Sequence, residues 1–343
     1  MTEVTSLLER IVDGGDLSEA ETAALLTEMA EGALFPEQTG AILVALRMKG
    51  ETAEEISGLA TAMRRLALKP SLQDAGQIVD VVGTGGDGSG SLNLSTGSAI
   101  LAAAAGARVV KHGNRAVSGR SGSADVLAAL GLPMPLDAEA AAECLARNGF
   151  TFLFAPHFHP AMGRIAPVRR ALGVRTVFNI LGPLSNPAAP PFLVVGAFSA
   201  PVARKMAGSL SRMQGVQRAF VVHGAGGWDE PTPVGPFLCF DVRPGRVEET
   251  VRDPLDYGLQ PCDPRELEGG EPDHNAHRLE AALAGDDLPS HRDALALGAA
   301  LALEVMGEVS DVRAGLDRAR SAIADGSATR VIEGLAHFGK VVG

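Results

Sequence analysis

Aromatic side chains are scarce in this 343-residue chain: they make up 4% of it, with a single tryptophan, Trp228. A core must therefore be built from Ala, Val, Leu and Ile, and the 46% hydrophobic content is enough for one large domain or two unequal ones. Cysteine is nearly absent. Cys144, Cys239 and Cys262 are odd in number and lack Cys-x-x-Cys spacing, which argues against a disulfide framework or structural zinc and suits a reducing cytosol. Long apolar runs are missing too. LAAAAGARVV is too short and too broken to span a bilayer, and the N-terminal residues, with Glu3 and Glu9, show no signal-peptide pattern. A cytoplasmic protein with no membrane contact is expected. Basic excess is also lacking: the net charge is −11 and the pI about 5.2, which disfavours nucleic acid as a partner. An anionic substrate would have to be held by local groups: amides, a few Lys or Arg, or a metal.

What is present is a dense glycine loop behind an apolar run. Ile78–Val82 reads as a buried strand that stops at Gly83, and Gly85, Gly86, Gly88 and Gly90 follow at once. Such a loop lets the backbone approach a ligand with no Cβ in the way. Ser95 or Thr96 then offers an N-cap for an Ala-rich helix ending near Gly106. A glycine loop feeding a helix N-terminus presents free N–H groups and positive dipole, which suits phosphate. A second apolar run, Ala107–Val110, ends in Lys111-His112-Gly113-Asn114-Arg115, and another small-residue loop, Ser118–Ser123, precedes the next helix. The dinucleotide fingerprint does not apply, since the helix is delayed and the second strand ends in Lys111 rather than an acid. No Gly-Lys-Ser/Thr follows the loop, so a Walker motif is absent.

Residues 2–68 read as four helices. Ser18-x-x-Glu21 and Thr52-x-x-Glu55 are capping boxes, Pro36 fits a first turn, and Leu7, Ile11, Ile42, Leu46, Ile56 and Leu59 lie on apolar stripes. Lys69-Pro70-Ser71 is a candidate hinge. Beyond Gln73 strands and helices alternate, the pattern of a parallel sheet with crossovers. Strands are expected at Phe152–Ala155, Phe192–Phe198 and Ala219–Val222. Helices are expected at Asp137–Asn148, Val168–Leu172, Pro201–Met213, His291–Met306, Val312–Ala324 and around Val331–Phe338. Pro231–Pro264 reads as an irregular β excursion with short strands around Phe237–Val242, and Glu268–Asn275 as a loop.

With GTGGDGSGSLNLST, KHGNR, SGSADVLAALG, HPAMGRIAPVRRALGVRTVFNILGPLSNP and GWDEP in this order, the chain from about Leu7 to Gly307 resembles the anthranilate phosphoribosyltransferase family. The resemblance implies a small all-helical N-terminal domain and a larger α/β domain with a mostly parallel central sheet, of the nucleoside phosphorylase/phosphoribosyltransferase kind. The helical domain would comprise 1–70 with about 160–187 returning to it, and the α/β domain 71–159 and 188–343. It implies a homodimer through the helical domain and transfer of the phosphoribosyl group of phosphoribosyl pyrophosphate (PRPP) to the amine of anthranilate, in tryptophan biosynthesis. Mg²⁺, two ions, is the expected cofactor. Catalysis would rest on positioning and electrostatics rather than on a catalytic acid or base.

Gly83, Gly86, Asp87, Ser91, Asn93, Leu94, Ser95 and Thr96 match the family's PRPP loop, and Lys111, His112, Gly113, Asn114, Arg115, Ala116, Val117, Ser118, Gly119 and Ser123 its second phosphate segment. Gly83, Asn114, His159 and Arg169 match the anthranilate contacts; Ser95, Asp229 and Glu230 match the metal ligands. Read from the residues alone, Ser95 or Thr96 is equally an N-cap, Lys111 a surface lysine, Arg169 a helix-surface arginine and Asp229-Glu230 a solvated pair. Physical chemistry suits the sharper roles: Mg²⁺ takes few carboxylates plus phosphate oxygens, and a guanidinium grips a benzoate carboxylate in a bidentate fork. The chain departs from the family at Ser91-Leu92 (commonly Thr-Phe), Gly119 (Ser), Gly163 (Lys) and Trp228 (leucine-like). The alternatives are a pyrimidine nucleoside phosphorylase and a non-catalytic nucleic-acid-binding relative. The strand-Asp-Asp signature of the commoner phosphoribosyltransferase fold is absent.

Overall fold

Capping sets the N-terminal helices. In the computed structural model, which describes residues 3–72, 75–116 and 120–342, these are α1 (Glu3–Val12), α2 (Glu19–Glu31), α3 (Pro36–Lys49) and α4 (Ala53–Leu66). Ser18 N donates to Glu21 Oε2 at 2.8 Å, and Thr52 N to Glu55 Oε2 at 2.8 Å, closing both boxes. Glu55 does more than cap. Fully buried, it also accepts from Leu17 N and Lys49 Nζ, each at 2.9 Å, so one carboxylate joins the approach to α2, the end of α3 and the start of α4. Glu55→Ala leaves the Leu17 and Thr52 amides without their acceptor, while the Lys49 ammonium keeps Asp16 Oδ1 at 2.7 Å. We expect a loss of about 2 kcal/mol in urea unfolding, the scale of buried donors left unsatisfied; a loss below about 0.5 kcal/mol would show the carboxylate dispensable.

The chain then builds β1 (Val79–Gly83), α5 (Leu94–Ala104), β2 (Val109–Gly113), α6 (Ser123–Ala129), α7 (Ala138–Asn148) and β3 (Phe150–Phe154). It leaves the sheet through the short α8 (Ala155–Phe158), α9 (Ala166–Leu172) and the short α10 (Phe178–Leu181). It returns as β4 (Phe192–Gly196), α11 (Ala200–Arg212), β5 (Arg218–His223), β6 (Phe237–Arg243) and β7 (Arg246–Arg252), and ends in α12 (Pro272–Ala284), α13 (Pro289–Met306), α14 (Val312–Ala324) and α15 (Ser327–Val342). The seven strands form one sheet in the order β3-β2-β1-β4-β5-β6-β7, parallel from β3 to β5 and antiparallel beyond.

Strand periodicity divides the core. In β4, Phe192 and Val194 face α5 and α13, while Leu193 and Val195 join a second apolar cluster with Leu26, Ile42, Ile56 and Leu59 of the N-terminal helices. Ile165, Val177, Phe178, Leu181 and Leu184, from the segment that leaves the sheet, belong to that second cluster. Arg64 Nε of α4 donates to Leu184 O at 2.8 Å, which pins the segment to the helices.

Three sequence expectations change. The helix after the glycine loop starts at Leu94, so the cap position is Asn93, not Ser95 or Thr96. The 268–275 stretch is not all loop, since α12 opens at Pro272. Within the 231–264 excursion, β7 pairs along its whole length with β6 as an exposed edge strand.

Candidate active site

The sheet order reverses at β1: the chain moves outward to β2 and β3, then comes back to β4 on the other side. Ligands of open parallel sheets sit outside the strand C-termini at such a point. Gly83 and Gly196, the last residues of β1 and β4, are register partners there. Asp229 lies across both. A Cβ on Gly83 would stand 2.4 Å from Asp229 Oδ2, and one on Gly196 1.5 Å from Asp229 O. Glycine is required at both positions by close approach. A cleft of about 1180 Å³ opens above, between this rim and residues 156–185.

On one side of the cleft the glycine loop is braced by carboxylates. Gly85 N donates to Asp229 Oδ2 at 2.5 Å, Asp229 N to Asp87 Oδ2 at 3.2 Å, and Ser89 N to Asp87 Oδ1 at 3.0 Å. Gly85 and Gly86 hold φ of 67° and 72°, which a side chain would resist. The helix α5 aims its first turn into the same space. Ser95 N donates to Glu230 Oε1 at 2.8 Å, while Glu230 Oε2 is buried with no partner. Burial, then repulsion from Asp87, pushes the Asp229 carboxyl up; burial, then repulsion from Asp229, does the same to Glu230. Lys111, 1% exposed, points beneath the loop; its ammonium donates to Val81 O and to Ser95 Oγ at 3.3 Å. Burial lowers its pKa although Asp80, Glu230 and Asp229 pull the other way.

One buried ammonium among these carboxylates leaves negative charge unbalanced. An orphaned carboxylate oxygen and crowded acids fit a divalent cation. Among the described residues no three His, Cys, Asp or Glu side chains are grouped to hold an ion alone.

The opposite wall pairs two neutral imidazoles with a guanidinium. His112 Nδ1–H donates to Gly182 O at 3.1 Å, and its ring lies 5.1 Å from that of His159. Burial pushes His112 down to about 3 and His159 to about 4, so both are neutral near pH 7. Arg169, half-buried on α9, stacks 4.9 Å over the Phe178 ring. Met63, Met162 and Pro183 complete this end.

Of the residues named from sequence, Gly83, Gly86, Asp87, Ser91, Asn93, Ser95, Lys111, His112, Gly113, Asn114, Arg115, Ala116, Ser123, His159, Arg169, Asp229 and Glu230 line this one cleft. Leu94 and Thr96 do not: both are buried, at 2% and 0% exposure. Val117, Ser118 and Gly119 lie outside the described residues. Other residues were not anticipated. Asn275 Nδ2 donates to Asn93 Oδ1 at 2.8 Å, and Gly269 N to Gly90 O at 2.8 Å, so the Glu268–Asn275 stretch buttresses the glycine loop. Asn186 joins Asp80 Oδ2 to Val110 O, each at 2.8 Å, beneath the cleft. Arg175 reaches Gly86. The Gly269-Gly270 pair was a sequence signal for the first group; Arg175 and Asn186 lie within the HPAMGRIAPVRRALGVRTVFNILGPLSNP motif, but no local pattern assigned them a role.

A helical bundle beside an α/β body, with a glycine loop, an acid pair and a guanidinium at their junction, defines a glycosyl transferase. Residues 75–329 match the family described as "Glycosyl transferase family, a/b domain", and residues 5–67 "Glycosyl transferase family, helical bundle domain". Anthranilate phosphoribosyltransferase of Chloroflexus aggregans is 46% identical over 327 residues, 95% of each chain, and that of Roseiflexus sp. is 46% identical over 330 residues, again 95% of each. The solved enzyme of Thermus thermophilus superimposes with a TM-score of 0.89 at 39% identity, covering 97% of this chain and 99% of that one. The Saccharomyces cerevisiae enzyme, solved in complex with PRPP and Mg, gives 0.88 at 26% identity over 99% and 98%. The chain belongs to the anthranilate phosphoribosyltransferase family. Neither alternative, nucleoside phosphorylase or nucleic-acid binder, is favoured. Among the described residues no helix is long and apolar enough to cross a membrane.

Proposed function

We propose that the chain transfers the phosphoribosyl group of PRPP to the amine of anthranilate, releasing pyrophosphate and forming N-(5-phosphoribosyl)anthranilate. The observation that carries this reading is one cleft that joins an amide-rich, acid-flanked loop at a helix N-terminus to a neutral, guanidinium-tipped slot. The loop amides and the N-terminus of α5 bind the diphosphate; Asp229, Glu230 and Ser95 hold Mg²⁺, two ions in all, which when bound offsets the charge of the leaving pyrophosphate. Arg169 and Asn114 hold the anthranilate carboxylate. The amine lone pair then attacks C1′ as the bond from C1′ to the pyrophosphate oxygen breaks, and the ammonium so formed gives up one proton to water or to the departing pyrophosphate. His112 and His159, kept neutral, add no positive charge beside a carbon that is becoming cationic. The amine is neutral before attack, so the rate comes from alignment and charge complementarity.

Loss of anthranilate fluorescence with PRPP and Mg²⁺ present, and not when either is omitted, is the expected result; consumption without PRPP would sink the reading. Arg169→Ala should raise the anthranilate KM roughly ten- to hundredfold, the scale of a charged hydrogen bond of about 1.5–3 kcal/mol, with the PRPP KM little changed. Unaltered anthranilate kinetics would move the carboxylate elsewhere.

Residues 1–70 and about 160–187 act as one helical body that closes on the rest, a reading supported by their shared apolar cluster. A homodimer through that body is supported by Phe35 and Met48, 72% and 83% exposed. Light scattering on the purified, cytoplasmically expressed protein tests it.

A further inference from the structure

Arg175 is a cation of the cleft that neither substrate role above uses. It follows α9 in the segment returning from the helical body, and its backbone belongs to that body: Arg47 Nη1 of α3 donates to Arg175 O at 2.6 Å. Its side chain belongs to the other side. The guanidinium crosses the cleft mouth, donates from Nη2 to Gly86 O at 2.5 Å and lies 4.6 Å over the ring of Phe198, just beyond β4. Phe198 is itself tied to the loop, since its N–H donates to Thr84 Oγ1 at 3.2 Å. One side chain therefore joins the helical body, the glycine loop and the rim of the sheet.

The Gly86 carbonyl is a sensitive place to hold. A trans peptide holds C=O and the next N–H antiparallel within one plane, so anchoring Gly86 O also sets the direction of the Asp87 amide. Gly85, Gly86, Gly88 and Gly90 all have positive φ and little intrinsic preference, so bracing must come from outside the loop. Asp229 supplies it at Gly85, Gly269 at Gly90, and Arg175 at Gly86. Of these three, only the Arg175 brace comes from the helical side.

We propose that Arg175 is a positioning residue: it couples the helical body to the glycine loop and sets the Gly86–Asp87 peptide plane on which donor diphosphate affinity depends. This rests on the reading of the loop as the PRPP cradle. Arginine suits the role where lysine does not, because it stacks flat on Phe198 while one edge donates to the carbonyl.

The test measures both Michaelis constants and thermal stability in Arg175→Ala, Arg175→Lys, Phe198→Leu and Arg47→Ala, with calorimetric PRPP binding to the unaltered protein as reference. Arg175→Ala is expected to raise the PRPP KM about three- to tenfold, the range for a solvent-facing charged contact, with the anthranilate KM changed less than twofold and Tm unmoved. Arg175→Lys and Phe198→Leu should fall between. Arg47→Ala, outside the cleft and touching no substrate, should raise the PRPP KM about twofold. An unchanged PRPP KM in Arg175→Ala overturns the proposal. So does an equal rise in both constants with a lowered Tm, which marks a merely structural arginine. An effect of Arg175→Ala with Arg47→Ala silent overturns the coupling and makes Arg175 a direct phosphate ligand. Failure of the unaltered protein to bind PRPP would sink the cradle reading and this proposal together, an outcome distinct from all of those above.

Discussion

Gly83→Val should remove PRPP binding and lower kcat/KM on the order of a thousandfold, the scale at which a positioned donor set is lost. A Cβ at Gly83 would stand 2.4 Å from Asp229 Oδ2 and 3.1 Å from its Cγ. Real side chains do not sit that close, so the carboxylate must move. It is the same oxygen that accepts from Gly85 N, so one substitution unseats the acid proposed above as a Mg²⁺ ligand and frees the glycine loop together. The second branch of valine would add bulk where the proposed cradle would hold the leaving group. Gly163→Ala is the control: that residue also lines the cleft, but an added Cβ meets nothing within 4 Å and its φ is not positive. It should leave donor affinity unchanged. Calorimetry with PRPP and Mg²⁺ on both variants, with far-UV circular dichroism to verify folding, makes the comparison. Normal binding by a folded Gly83→Val protein would place the diphosphate away from β1.

The glycine loop is legible in the sequence because of its chemistry: backbone that must come close to a ligand advertises itself locally. What supports the loop does not. The N-terminus of α5 shows why. Ser95 and Thr96 are the residue types that cap helices, and local rules place the cap there. In the fold the Ser95 N–H is taken by Glu230 Oε1, supplied from 135 positions further along the chain. Asn93, at the cap position, turns its side chain away to Ser121 O and Asn275. A carboxylate delivered by the sheet did the work of a local cap, and no window of sequence contains both partners.

Two other elements were missed for local reasons. RVEETVR lies on the sheet edge with most of its side chains in water, so its charges hide the alternation of a half-buried strand. The start of α12 follows Gly269-Gly270, which reads as loop, and its first residue is the proline that tolerates a helix start but breaks one elsewhere. The helical stripes of α1 to α4 and the strands β1 to β5 were legible because burial there is continuous and periodicity survives.

Asp229→Asn combined with Glu230→Gln should cost roughly a hundred- to thousandfold in Mg²⁺-dependent turnover, again on the scale of lost electrostatic stabilisation. The pair separates charge from shape. Each amide keeps a carbonyl oxygen, so Gly85 N and Ser95 N retain an acceptor and the loop keeps its brace. What disappears is the negative charge. In the metal-free protein that charge is unfavourable: both carboxyls are pushed up by burial, and both are repelled by acidic neighbours, Asp229 chiefly by Asp87 and Glu230 chiefly by Asp229. The metal-free variant should therefore melt at the same temperature as the parent or higher, while its activity collapses. Adding Mg²⁺ with pyrophosphate should raise the parent's Tm, since a ligand that binds only the folded state stabilises it, and should leave the variant's unmoved. These signs are opposed to those of a structural ion pair, whose removal lowers Tm and leaves a metal response intact. A variant that melts earlier yet still responds to Mg²⁺ would place the cation elsewhere in the cleft and reduce Asp229 and Glu230 to braces for the loop and for α5.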